Sequence, residues 1–313
     1  MDVEQTKAYK SVFKDPSTGE RVIEQNGKFV REKTHIPIEE RNGILIFCAQ
    51  PQSSHSTQQQ AHYDKVATAY VNNLNYPHTQ EYTGYLDEAF LSETNNQDMG
   101  VCAEICCGRG EALTLLQSRV HTGIGVDLSI NMLLEARKQH PHNRFHFAQG
   151  DATDLPLECD SVDSVVMLGG IHHVPDRVKL FSEICRVLKP GGRFYWREPV
   201  SDFWLWRGIR AIIYRISPML EHESERPLLY KETVPVLEKA GLRLISWKTY
   251  GFLGFCFFMN SDVLYFNRLF RFIPGIKKIT RFFIKLDQLT LRLPGLKNAG
   301  LQVVGVATKT KSS

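Results

Sequence analysis

The chain predicts an α/β domain built on a doubly wound, largely parallel sheet. Three observations carry that expectation. From Met99 onward, short apolar runs alternate with segments of helical periodicity. Those runs are close to continuously apolar, as strands covered on both faces must be. A Gly-Arg-Gly turn, Gly108 to Gly110, follows the first run and opens a helical stretch, which is where such sheets receive ligands.

The elements follow in order. Strands are expected at 101–107, 123–128, 145–147, 162–168, 193–196, 242–249 and 301–307, with helices at 130–140 and 177–188 between them. Ahead of this core, residues 1–50 read as a small β-rich extension. There "DPSTGE" and "QNGK" are turn chemistry and "GILIF" is a strand. Residues 51–98 read as a polar linker followed by a helical lid, and 99–313 as the core. Two insertions, at about 202–225 and 251–300, interrupt the core and are expected to form a helical cap.

Composition narrows the function classes. Of 313 residues, 42% are hydrophobic and 23% charged, which is ordinary for a globular chain. A formal net charge of +4 excludes a strongly basic nucleic-acid binder, so no nucleic-acid partner is expected. The seven cysteines are odd in number and form no C-x-x-C pair. That argues against a disulfide framework or a zinc knuckle and predicts reduced thiols, no metal and a cytoplasmic location. "MDVEQTKAYK" carries no apolar signal core. No run approaches the roughly 20 apolar residues that span a bilayer.

The turn at Gly108 and Gly110 can serve two cofactor classes. A dinucleotide needs a third glycine for close helix packing and a helix N-terminus open to pyrophosphate. Here Leu113 holds the third position and Glu111 starts the helix. A carboxylate there repels a pyrophosphate but tolerates a cationic sulfonium. Asp127, at the end of the second strand, is placed to accept hydrogen bonds from ribose hydroxyls. In "GDATDLP", Asp151 can reach an adenine amino group and Ala152 offers its backbone N–H to the ring. The set favours S-adenosylmethionine (SAM) over NAD.

Two further motifs, "LGGIHHVPD" and "EICRVLKPGGRFYWREP", follow in order. Together these residues resemble the class I SAM-dependent methyltransferases, in particular the ubiquinone/menaquinone C-methyltransferase-like group of small-molecule enzymes. The similarity runs over roughly residues 63–198. It implies a seven-stranded, mixed, Rossmann-like sheet whose last strand is antiparallel. It implies Glu104 near the methionyl amino group, and Cys106 as a small buried residue beside the cofactor. Leu128, Met132 and Leu168 are expected to line the same site. In "YDKVATAY", Tyr63 and Tyr70 belong to a helix that the resemblance places over the cofactor as a lid.

The sulfonium arrives activated, so the protein has mainly to align the acceptor and exclude water. A base is needed only if the acceptor must lose a proton. His172 and His173, where the fourth strand ends, are candidates, and Glu198, ending the fifth strand, is a third. No Asn/Asp-Pro-Pro-aromatic motif follows the fourth strand and no Pro-Cys occurs, which argues against nucleic-acid base methylation.

The second insertion is rich in Phe and carries Arg268, Arg271, Lys277, Lys278, Arg281 and Lys285 with no acid between them. It is expected either to enclose an apolar acceptor pocket or to bring a basic amphipathic face to an anionic membrane. The expected function is methyl transfer to the oxygen or carbon of a small hydrophobic or lipid-like acceptor, of polyketide or isoprenoid type. An RNA or protein methyltransferase, or a relative that binds SAM without methylating, are the alternatives.

Overall fold

Side-chain alternation along the apolar runs sorts residues between two cores, one on each face of a single large sheet. In the computed structural model, residues 12–25, 27–48, 75–208, 226–259 and 265–310 are described. The expected linker, the helix bearing Tyr63 and Tyr70, and residues 209–225 of the first insertion lie outside them.

The strands are β1 (Val22–Gln25), β2 (Lys28–Arg31), β3 (Glu39–Arg41), β4 (Ile44–Ile46), β5 (Gly100–Ile105), β6 (Val120–Asp127), β7 (Phe145–Gln149), β8 (Val162–Leu168), β9 (Leu188–Pro199), β10 (Leu242–Tyr250) and β11 (Gln302–Lys309). The helices used below are α1 (Pro77–Glu93), α2 (Glu111–Leu115), α3 (Ile130–Gln139), α4 (Arg177–Val187), α5 (Tyr230–Lys239), α6 (Leu253–Phe258) and α7 (Ile276–Thr290).

Strand order is β10-β11-β9-β8-β5-β6-β7-β4-β3. β11 runs antiparallel to both neighbours, as expected for the last strand. β5 pairs in parallel with β6 on one side and β8 on the other, so the order reverses at β5 and opens a crevice beyond its carboxyl end.

All seven expected strands form, and two more widen the sheet to nine. Ile44, Leu45 and Ile46 are all buried, and β4 pairs in parallel with β7, Ile44 opposite Phe147. An otherwise open edge is thereby covered. The N-terminal region therefore does not only pack on the core; it extends the sheet. β1 and β2 form a separate two-stranded hairpin.

One face buries Ala103, Ile105, Val165, Met167, Phe194 and Trp196 under α4 and α5. The other buries Cys102, Val166, Tyr195, Phe145 and Phe147 under α2 and α3, with Phe90 of α1. Three glycines make room for large rings on neighbouring strands. Gly123 and Gly125 lie opposite Phe145 and Phe147, where a Cβ would come within 2.4 and 2.5 Å of the rings. Leu113, where a dinucleotide site would have glycine, packs toward the space left at Gly123, 3.0 Å from a Cβ there.

The second insertion packs on α1. Tyr82, Tyr85 and Leu86 meet Phe255, Phe258, Ile276 and Ile284 in a third apolar cluster. Asp287 is fully buried there. It accepts the Tyr82 O–H at 2.5 Å and the N–H groups of Phe252, Gly254 and Phe255 at 2.9, 3.0 and 3.3 Å. α7 thus supplies the N-terminal cap that α6 lacks, and these donors offset the burial of a carboxylate. Among the described residues, no helix is long and apolar enough to cross a membrane.

Gly305 of β11 lies opposite Trp196, and a Cβ there would fall 2.0 Å from the indole. Gly305→Ala is expected to lower stability by about 1–3 kcal/mol through overpacking. Thermal denaturation followed by circular dichroism tests this; an unchanged melting temperature would remove the indole–glycine contact from the account.

Candidate active site

The crevice beyond β5 is built by a turn that needs left-handed backbone. φ is 53° at Cys106, 51° at Gly108 and 77° at Gly110. Glycine adopts this region without steric cost. The turn leans on the loop after β8: a Cβ at Gly170 would sit 2.7 Å from the Cβ of Cys106. Gly169-Gly170 is visible in the sequence, but its reason, close approach of two loops at the switch point, is not.

Glu104 sits beneath the turn, 2% exposed. Its two carboxylate oxygens accept the N–H groups of Ala112 and Leu113, each at 2.9 Å. The sequence expectation placed it near a methionyl amino group; its direct partners here are the first turn of α2. Burial, with the negative charge of Glu111, pushes its carboxyl up to about 8, against the pull of those two donors. The backbone donors that a pyrophosphate would require are therefore already satisfied by an acid.

Asp127 ends β6 and is half-buried. One oxygen accepts Gly108 N–H at 2.8 Å, and the other Ser129 N–H at 2.9 Å. It ties the glycine turn to the start of α3, where Ser129 caps the N–H of Met132 at 3.4 Å. The Leu128 N–H also donates to this carboxylate, which still has acceptor capacity left for a hydroxyl. Burial pushes its carboxyl above the usual range. Asp151 accepts the Thr153 N–H and O–H at 2.8 and 2.7 Å through one oxygen. The other has no hydrogen-bond partner among the described residues, so it can take an amino group.

Ala152 and Met132 are buried; Leu128 and Leu168 are half-buried at the ends of β6 and β8. Cys106 lies where the acids converge. Burial raises its thiol well above the ordinary range, and the carboxylates of Asp127, Glu198 and Asp151 raise it further. The thiol stays protonated and is no nucleophile. The same negative field suits a sulfonium and opposes a pyrophosphate. The turn fits SAM.

The acid–base candidates separate by geometry. Glu198 is fully buried and accepts the N–H groups of Gly170, Ile171 and His172 at 2.7, 2.8 and 3.4 Å. It also pairs with His172 Nδ1 at 2.7 Å. Its oxygens hold the loop after β8 and orient His172. With Nδ1 donating to Glu198, His172 keeps its Nε2 lone pair. His173 lies against it, ring centroids 3.8 Å apart.

Residues 103–196 match a family described as a methyltransferase domain. A demethylmenaquinone methyltransferase from Leptospira interrogans is 32% identical over 173 residues, 48% of this chain and 70% of that protein. The chain belongs to the class I SAM-dependent methyltransferases, in their quinone-related group. A demethylmenaquinone methyltransferase from Staphylococcus saprophyticus is 37% identical over 106 residues, 33% of this chain and 46% of that relative, or about half its length. A crystal structure of a SAM-dependent methyltransferase from Thermotoga maritima shares the fold, with a TM-score of 0.52 at 20% identity over 80% of this chain and 99% of that one.

Asp127→Ala would leave Gly108 N–H without its acceptor and a ribose hydroxyl of SAM without this partner. SAM affinity should fall by roughly 1–3 kcal/mol. Isothermal titration calorimetry measures this, and an unchanged dissociation constant would take Asp127 out of the site.

Proposed function

We propose that this chain transfers the methyl group of SAM to a small hydrophobic aromatic acceptor bearing a hydroxyl, of isoprenoid-quinol type. The observation that carries the reading is the His172–Glu198 pair, held at 2.7 Å beside the acid-lined turn. The names of the relatives support the acceptor class, since both are demethylmenaquinone methyltransferases. SAM supplies a methyl group already activated on a cationic sulfur.

The remaining work falls to the protein. Glu104 and Asp127 fix the turn against which the cofactor lies, and Asp151 offers its open oxygen to the adenine amino group. Glu198 holds His172 in the tautomer whose Nε2 faces away from the anchor. Nε2 takes the hydroxyl proton, and the phenolate that remains is a nucleophile at its oxygen and at the adjacent ring carbons. The three backbone bonds to Glu198 keep the loop in place when the imidazole is removed.

His172→Ala should therefore lower kcat by roughly 10²- to 10⁴-fold, the usual worth of a positioned base, with the SAM dissociation constant unchanged. The assay is S-adenosylhomocysteine release with prenylated hydroquinones and their deoxy analogues. Unchanged kcat would assign His172 to structure. Equal methylation of the deoxy analogues would remove the need for any base.

A further inference from the structure

We propose that α7, with the turn that precedes it, docks on the surface of an anionic lipid bilayer. The helix has three faces. Ile276, Thr280, Ile284 and Asp287 are buried against α1 and α6 and account for its packing on the protein. A second face carries Ile279, Phe282, Leu286 and Leu289 at spacings of three and four residues, and all four are exposed. Phe282 and Leu289 are 63% and 59% accessible. A surface helix of a soluble protein turns polar side chains to water at these positions. Here the outward stripe is apolar, and Phe272, 68% exposed, continues the apolar surface in the preceding segment.

The third face is basic. Lys277, Lys278 and Lys285 are exposed beside the stripe, while Arg281 pairs with Glu81 of α1. The only acid between residues 265 and 300 is Asp287, which is fully buried among its four donors. All of the exposed formal charge on this segment is thus positive. An apolar stripe flanked by lysines, with no exposed acid on the segment itself and with Glu81 and Glu88 of α1 on the side of Arg281 and Lys285, complements an anionic bilayer: the stripe enters the acyl boundary while the lysine stems reach the phosphates. This surface stands independently of the acceptor proposed above.

The test is flotation of the full chain with vesicles of phosphatidylcholine alone and of phosphatidylcholine mixed with phosphatidylglycerol. Partition should be strong only on the mixed vesicles and should weaken with salt. Phe282→Ser with Leu289→Ser should abolish it. Lys277→Gln with Lys278→Gln should weaken it about fivefold for each lysine removed. Both pairs of changes are at exposed positions, so melting temperature and SAM affinity should match the parent and show that each variant is folded. Failure to partition on mixed vesicles, or folded variants that partition like the parent, would overturn the proposal. So would a concentration-dependent dimer in ultracentrifugation that the Phe282 and Leu289 changes abolish while vesicles bind nothing, since the stripe would then meet a second copy.

Discussion

A carboxylate fills the helix N-terminus that this kind of sheet usually turns toward its ligand. Buried Glu104 reaches from the end of β5 to the N–H groups of Ala112 and Leu113. The bond fixes the start of α2, and so the path of the glycine turn in front of it. The sign of the site comes from the acids beside it. With those donors spent on an acid, and with Asp127, Asp151 and Glu198 around Cys106, the crevice is a place for positive charge. The contact that holds the turn occupies donors a pyrophosphate would use, and the acids around Cys106 favour a sulfonium.

Glu198 repeats the device one loop away. It is buried, spends its oxygens on backbone N–H groups, and organises the loop after β8 as Glu104 organises the one after β5. The two loops meet at Cys106 and Gly170. A shift in either carboxylate would therefore be felt at both. The difference lies in what each carries outward: the first loop presents backbone and acids, and the second presents His172. The glycine turn and the loop that bears His172 rest on one pattern used twice.

Much of this was legible in the sequence because it is local. Apolar runs gave the core strands to within a few residues, Leu113 and Glu111 argued against a pyrophosphate, and Asp127 and Asp151 stood out by their spacing. What could not be read was pairing at a distance. β4 is a three-residue apolar run whose burial depends on β7, about a hundred positions away. The bonds of Glu198 to residues 26 to 28 positions earlier leave no local trace. The glycines of β6 and β11 gain their meaning only from the rings opposite them. Nothing local in the sequence marks Asp287, which the fold buries as the cap of another helix.

The burial of Glu104 beneath the turn has a thermodynamic signature. Glu104 is raised from 4.5 to about 8 in the ligand-free protein, so at neutral pH it is largely protonated. A cation bound in front of the turn favours the ionised form and lowers that value. Binding must then expel a proton, and SAM affinity must rise as pH increases toward about 8. The direct measurement is calorimetry of SAM binding in buffers of different ionisation enthalpy between about pH 6 and 7, below the ordinary range of an α-amino group. Net proton release, with an affinity that rises with pH across that window, is the predicted result. Binding with no proton release, at an affinity independent of pH, would contradict the account.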